Sequence, residues 1–481
     1  MVEQEGITVK KSENFSDWYS QVIIKSGLAD YGPVQGTIAI REYGYEIWEK
    51  IQGIFDKMLK NSGYKNAYFP LFIPESFLKK EAKHFEGFIP EVFWVTHSGN
   101  NKLGEKLALR PTSETIIYYF YSKWIRSWRD LPVLLNQWCN ITRAEIKSTK
   151  PFIRTSEFLW QEGHTAHAKK EEAEEEVMKI LKFYQDLIEN YLAIPVLVGK
   201  KSNKEKFAGA LYTTALEAMM PDGKALQMGT SHNLGQNFSK PFGIKFLDKD
   251  KKEKNVWQTS WGISTRLIGA VVMVHGDDKG LVLPPKIAPL QVVIVPIFYK
   301  EEEKRKVLKK AKELLEKLKK AGASAFLDDR EIYTPGWKFN EWELKGVPIR
   351  IEIGPKDLKK KQVVIVRRDD FQKIPVKNKL VVKKVFSLME KIQENLFRKA
   401  KEFLKESIST PKDYEEFKKI LEEKGGFLKV CWCGEENCEE KIKEETGATI
   451  RTIPLKREKI FSNCIYCGKE AKEVVYLAKS Y

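Results

Sequence analysis

No stretch of the 481 residues approaches the roughly 18 consecutive apolar positions a membrane span requires, which excludes a helical integral membrane protein. The opening MVEQEGITVKKSENF has no apolar run behind a basic one. No secretory signal is read there, and a cytoplasmic setting is expected. GxxxxGK[ST], a GxGxxG following a strand, and HExxH are all missing. Any nucleotide chemistry must therefore proceed without a Walker-type or dinucleotide-type loop. Cysteine is scarce, with six in all, and five of them lie beyond residue 430. There is no internal repeat and no low-complexity tract. A hydrophobic fraction of 42% against 31% charged residues excludes a disordered or fibrous chain.

What is present is an uneven excess of positive charge. The net charge is +17, and residues 287–400 supply +12 of it, with 28 Lys and Arg against 16 Asp and Glu. Residues 1–286 carry +5 and residues 401–481 are neutral. A basic middle segment suits a polyanion, because neutralising phosphates releases counterions. A lysine-rich surface kept for solubility is the alternative reading.

The length suggests about three domains, and the texture of the chain places them at 1–286, 287–402 and 403–481. In the first, residues 40–60 set Ile47, Ile51, Ile54, Phe55 and Met58 at helical spacing. YKNAYFPLFIP reads as strand, ended by Pro70 and Pro74, and residues 171–192 read as a helix with an acidic start. Beyond Pro284-Pro285 the run LQVVIVPI, a helix over 301–320 and the runs ASAFLDD, PIRIEIG and QVVIVRR alternate as α/β. A Lys- and Glu-rich helix over 378–406 leads into the cysteine-bearing segment.

Cys433-x4-Cys438 and Cys464-x2-Cys467 form two close pairs able to converge on one tetrahedral ion. Four thiolates close the coordination shell of Zn²⁺, which marks a structural site. Disulfides are disfavoured without a secretory signal; free thiols are the other alternative. Cys431 could replace Cys433 as a ligand, and Cys139, in an apolar run, reads as core.

A second constellation spans LALRPTSETIIYYF, NQWCNITRAEI and FIRTSEFLWQEGHTAH, with Arg110, Arg143, Arg154, Glu114, Glu145, Glu157 and Glu162 set among aromatics. If TRAEI is a strand, Arg143 and Glu145 share a face and can hold an anion and an amino group together. A structural ion pair is the plainer reading. ALQMGTSHNLGQNFSK and QTSWGISTRLIG add glycines that permit close approach of a ligand.

Together these segments resemble the class II aminoacyl-tRNA synthetases, specifically the prolyl-tRNA synthetases of archaeal/eukaryotic type, over nearly the whole chain. The 40–60 helix with GYKNAYFP is similar to the dimer-forming first class motif. NITRAEI with RTSEF resembles the second, and GISTRLIG the third. RPTSE, FLWQEGHTA and GTSHNLGQNFSK point to proline rather than threonine, histidine or glycine. WKFNEWELKGVPIRIEIGP resembles the anticodon-binding domain.

The resemblance implies an α+β fold. A catalytic domain of antiparallel sheet flanked by helices precedes an α/β anticodon-binding domain and a small α/β zinc-binding domain. It implies proline activation with ATP and Mg²⁺, transfer to tRNA(Pro), a homodimer, and no editing insertion between residues 163 and 258. Arg143 is expected between the proline carboxylate and the α-phosphate, and Arg154 at the γ-phosphate. Phe158 and Arg266 would sandwich adenine, with Glu145, Thr155, Gln227 and Thr230 also at the nucleotide. Thr112 and Glu114 would receive the secondary ammonium. Trp160, Glu162, His164, Phe207, His232, Ser260 and Gly262 would surround the ring, with Tyr481 near the site. Lys338, Glu343, Lys345 and Arg350 would contact the anticodon. The rivals are a threonine-specific sister enzyme and a non-catalytic tRNA-binding paralogue.

Overall fold

A computed structural model describes residues 6–82, 91–146 and 148–481. Its spine is an eleven-stranded sheet. Six strands form its antiparallel centre, running Leu197–Lys200, Tyr212–Met219, Ala225–Gly235, Trp257–Ser264, Glu157–His167 and Val133–Thr142 in spatial order. The hairpin between Met219 and Ala225 turns at Pro221-Asp222-Gly223, where Gly223 adopts a φ of 78° that a side chain would resist. The two-residue strand Lys65–Asn66 closes one edge.

Helix Glu42–Asn61 buries Ile47, Ile51, Phe55 and Leu59, one residue every three to four positions, while Ile54 and Met58 are half-buried at the rim. Helix Lys170–Asp186 lays Ile180, Leu181 and Tyr184 on the same core and starts with Glu171 and Glu172, as its dipole favours. It stops short of residue 192 because its last turn widens into a π-turn over Leu187–Tyr191, which keeps Leu187, Ile188 and Leu192 all buried. YKNAYFPLFIP is not one strand. Only Lys65–Asn66 and Phe72–Pro74 pair, because Pro70 lacks a donor and Phe69 N–H is taken by the Gln137 side chain at 2.6 Å.

Gly163 lies opposite Trp261 across the sheet, and a Cβ there would overlap the indole. Gly163→Ala is expected to cost about 1–3 kcal/mol, the usual range for overpacking. A lowered urea midpoint at constant slope would show it.

A second sheet of five strands follows, ordered Ala325–Leu327, Val292–Pro296, Ile349–Ile353, Gln362–Arg367 and Lys373–Lys377. Its first three strands are parallel and the last two antiparallel. Helix Glu301–Lys320 covers it with Val307, Ala311, Leu314 and Leu318, and helix Val381–Glu406 with Val385, Leu388 and Ile392. The latter begins three residues late, after a 3-10 turn at Asn378–Leu380.

The strands beyond residue 407, Ile408–Ser409, Phe427–Trp432, Thr449–Pro454 and Glu473–Ala478, extend the first sheet rather than forming their own. Ile453 pairs with Lys200 and Pro454 with Gly199. The junction requires a glycine, since a Cβ on Gly199 would meet the Ile453 carbonyl and the Thr452 hydroxyl. Among the described residues no helix is long and apolar enough to cross a membrane.

Candidate active site

Alternation along the central strands sends every second residue to one face, and the register lines these residues up in two rows. Glu162 faces Gly262, which faces Thr230; His164 faces Ser260, which faces His232. These rows floor a cavity of about 490 Å³. Arg143, Arg154, Phe158 and Arg266 line it, as do Thr112, Glu114, Glu145, Trp160, Phe207 and Gln227.

One end of the cavity is a buried polar network. Thr112 donates to Glu114 and Ser113 donates to Glu162, both as short bonds. Gln137 donates to Glu162 at 2.9 Å, and His164 Nε2 bonds its other oxygen at 3.0 Å. Burial pushes the Glu162 carboxyl up, but bonds from His164, Ser113 and Gln137, with the His164 charge, outweigh it and hold Glu162 below its ordinary range. Burial likewise depresses His164, and the Glu162 bond with the Glu114 and Glu162 charges reverses this, raising it. Glu162 and His164 are thus a buried ion pair beside a second carboxylate.

His232 goes the other way, down to about 3, through burial and the neighbouring His164 charge. The Thr213 hydroxyl accepts from Phe207 N–H at 2.9 Å and is hydrogen-bonded to His232 Nδ1 at 2.8 Å. Phe207 and His232 pack with ring centroids 4.8 Å apart.

The other end is cationic. Arg266 donates to Ile153 O and Gln227 O, both at 3.2 Å. Burial lowers it to about 10, with Arg451, Arg143 and Arg154 adding to this against Glu217, so it stays charged at neutral pH. Arg143 reaches Glu145 at 3.6 Å, and its buried Nε has no partner among the described residues. Arg154 is exposed, its backbone bridged to Lys150.

TRAEI is not a strand throughout. The ladder ends at Thr142, and Arg143 N–H turns aside to Ser156 O at 2.7 Å, so the Arg143–Glu145 pair is made across a turn. Thr155 is buried and does not line the cavity. Cys139 is not core. It is half-buried beneath the cavity, accepting from Trp160 Nε1 at 3.3 Å and donating to Glu162 at 3.4 Å. Ser113, Gln137 and Thr213 carry no local signal in the sequence: register sets Gln137 opposite Glu162 and Thr213 opposite His232, and Ser113 arrives at the start of helix Glu114–Trp124. Tyr481 lines the cavity edge; its hydroxyl donates to Asp222 at 2.5 Å.

In the five-stranded unit, Lys338 is buried against Asp328, and Arg350 spans Glu343 at 2.7 Å and Glu352 at 3.1 Å. Lys345 is half-buried near Glu341.

Cys433, Cys438, Cys464 and Cys467 bring their sulfurs within 4.8 Å of one another. Two of the separations are 3.6 and 3.8 Å. Tetrahedral thiolate sites with metal–sulfur lengths of about 2.3 Å place sulfurs about 3.8 Å apart, so the set fits a metal. Cys431 stays outside, buried against Ala471 and Val474.

An antiparallel sheet flanked by helices, with three arginines and a buried carboxylate–histidine network on its open face, defines a class II aminoacyl-tRNA synthetase. The model for the tRNA synthetase class II core domain (G, H, P, S and T) matches residues 93–275. That for the anticodon binding domain matches 291–388, and that for the prolyl-tRNA synthetase C-terminal domain matches 414–481. The chain is 56% identical to the proline–tRNA ligase of Natranaerobius thermophilus, over 98% of this chain and 97% of that one. It is 56% identical to that of Cenarchaeum symbiosum, over 99% of both. Proline–tRNA ligase 2 of Clostridioides difficile is 53% identical over 99% of this chain and 98% of its own. The chain belongs to the prolyl-tRNA synthetase family.

Proposed function

We infer that the chain activates L-proline with MgATP and transfers it to tRNA(Pro). The observation that carries this reading is a pair of unpartnered buried polar atoms, Arg143 Nε and Ser260 Oγ, on residues lining one cavity. Arg143 belongs to the cationic end, and Ser260 stands opposite His164 at the carboxylate-bearing one. In the first step a proline carboxylate oxygen forms a bond to the α-phosphorus, and the bond to the bridging oxygen breaks to release pyrophosphate. Arg143 holds both anions with one planar fork. Arg154 takes the γ-phosphate, Phe158 and Arg266 stack on adenine, and Glu145 accepts from its amino group. Gln227 and Thr230 lie along the nucleotide.

Thr112 and Glu114 receive the secondary ammonium. The Glu162–His164 pair cancels its own charge, leaving Glu114 as the counter-ion for that ammonium. Trp160, Phe207, His232, Ser260 and Gly262 enclose the ring. In the second step a terminal tRNA hydroxyl attacks the activated carbonyl and AMP leaves. The cysteine set would hold Zn²⁺, which ties its two loops together. The work belongs in the cytoplasm, where tRNA is charged. Exposed Tyr31, Tyr68, Phe72 and Trp94 favour a homodimer. Lys338 is buried against Asp328 and Arg350 is paired with Glu343, which leaves Lys345 as the most accessible of the four anticodon candidates.

Proline-dependent ATP–pyrophosphate exchange without tRNA tests the reading. Exchange with threonine but not proline would move the substrate to a sister enzyme, and silence with both would leave a tRNA-binding paralogue. Alanine is expected to exchange detectably, because each missing methylene costs a competitor only about 1–3 kcal/mol. The span between residues 163 and 258 is filled by core helix and strands. An alanine rate more than about 10⁵-fold below that of proline would contradict the expectation.

A further inference from the structure

Residues 201–207 connect the strand Leu197–Lys200 to the cavity. Glu205, Lys206 and Phe207 from this loop line it. Within the loop, Lys206 N–H bonds Ser202 O at 3.0 Å and Glu205 N–H bonds Ser202 Oγ at 3.2 Å. Ser202 is therefore the knot of the turn that delivers Phe207.

The loop is also gripped from outside by helix Glu436–Thr446. Ser202 Oγ donates to Glu439 at 2.5 Å, with both side chains buried. Lys204 reaches Glu440 at 2.6 Å and Glu436 at 3.6 Å. Lys443 reaches Glu205 at 3.2 Å, and Arg451 lies 4.0 Å from the same carboxylate. Positions 436, 439, 440 and 443 fall at i, i+3, i+4 and i+7, which is one face of one helix. That entire face is directed at seven residues more than 230 positions earlier in the chain.

We propose that this helix is a clamp on the proline-pocket wall, and that Glu439 and Glu440 are positioning residues for proline binding. The sheet anchors the two ends of the loop, Lys201 through Thr213 O and Glu217 and Phe207 N–H through Thr213 Oγ1, and between these anchors Ser202, Lys204 and Glu205 are tied to the helix. Ser202 takes a charge-assisted bond, which is stronger than a neutral one and is sheltered from water here. The exposed Lys204 pair adds less. The proposal rests on the reading of Phe207 as a wall of that pocket.

The test is steady-state exchange with the full chain, measuring kcat and KM for proline and for ATP separately. Glu439→Ala is expected to raise KM for proline about tenfold, with kcat and KM for ATP within about twofold. Glu439→Gln keeps an acceptor for Ser202 and should stay near the parent. A KM for proline unmoved by Glu439→Ala overturns the clamp. So does an equal loss for both substrates accompanied by a lowered melting temperature, which would mark a merely structural role.

Should Glu439→Ala fail to fold, the exposed pair decides. Lys204→Glu and Glu440→Lys should each raise KM for proline about threefold, and the double swap should restore it. Absence of restoration overturns the proposal. Phe207→Ala is measured beside them. If it leaves KM for proline unchanged, the pocket reading itself fails; if it raises KM while the clamp variants do not, the clamp alone fails.

Discussion

Replacing Arg143 by alanine is expected to lower proline-dependent pyrophosphate exchange by about 10³-fold, the scale on which a preorganised donor to a developing anion acts. Two anions must approach each other before the new P–O bond can form, and their repulsion is the first cost of the reaction. In the proposed mechanism Arg143 would meet that cost from a fixed position, since its backbone is tied to Ser156 and its guanidinium rests near Glu145. Arg143→Lys keeps the charge and loses the fork, so it should recover only part of the rate, staying about 10²-fold down. Circular dichroism should be unchanged in both variants, because the side chain is partly exposed and holds no core contact. A lysine variant within threefold of the parent would show that charge alone suffices.

Replacing Cys464 by alanine is expected to abolish stoichiometric zinc and to unfold the segment around the cysteine set. Structural zinc sites carry about 10–16 kcal/mol of apparent binding energy, far more than a unit of this size commands without its metal. The set joins helix Glu436–Thr446, through Cys438, to the loop bearing Cys464 and Cys467. Its loss therefore removes a cross-link between two segments otherwise joined by a Tyr466–Glu445 hydrogen bond and a shared apolar cluster. Metal analysis of the purified chain and a melting curve with and without chelator would measure this directly. One zinc per chain in the alanine variant, or an unshifted melting curve, would contradict it. Cys431→Ala should retain the metal, because that thiol packs among Ala471, Val474 and Ile460 instead.

Local patterns were readable where the physics is local. Helix Glu301–Lys320 shows its buried face in the spacing of Val307, Ala311, Leu314 and Leu318. The arginine-bearing segments that line the cavity stand in short contiguous motifs. What lay beyond the sequence is long-range. Ser113, Gln137 and Thr213 look ordinary in their own segments; strand register sets Gln137 against Glu162 and Thr213 against His232, and the start of helix Glu114–Trp124 brings Ser113 to Glu162. Cys139 looks like core because its neighbours are apolar, yet the middle of its strand is half-buried on both faces. Lys338 and Arg350 look like free cations until Asp328, Glu343 and Glu352 fold in against them. The pairing of Gly199 with Pro454 was equally hidden, since two register pairs about 250 residues apart leave no periodic trace.

The two ends of the eleven-stranded sheet are its shortest strands, Lys65–Asn66 on one side and Ile408–Ser409 on the other. Unpaired strand edges are templates for self-association, and a two-residue edge offers almost nothing to copy. The last four strands thus act as a guard. Without them, Gly199 and Lys200 would lose their partners Pro454 and Ile453, and Leu197–Lys200 would become an open rim. Shortening the chain before residue 403 would be expected to leave a catalytic half prone to precipitation, even where its own core stays intact.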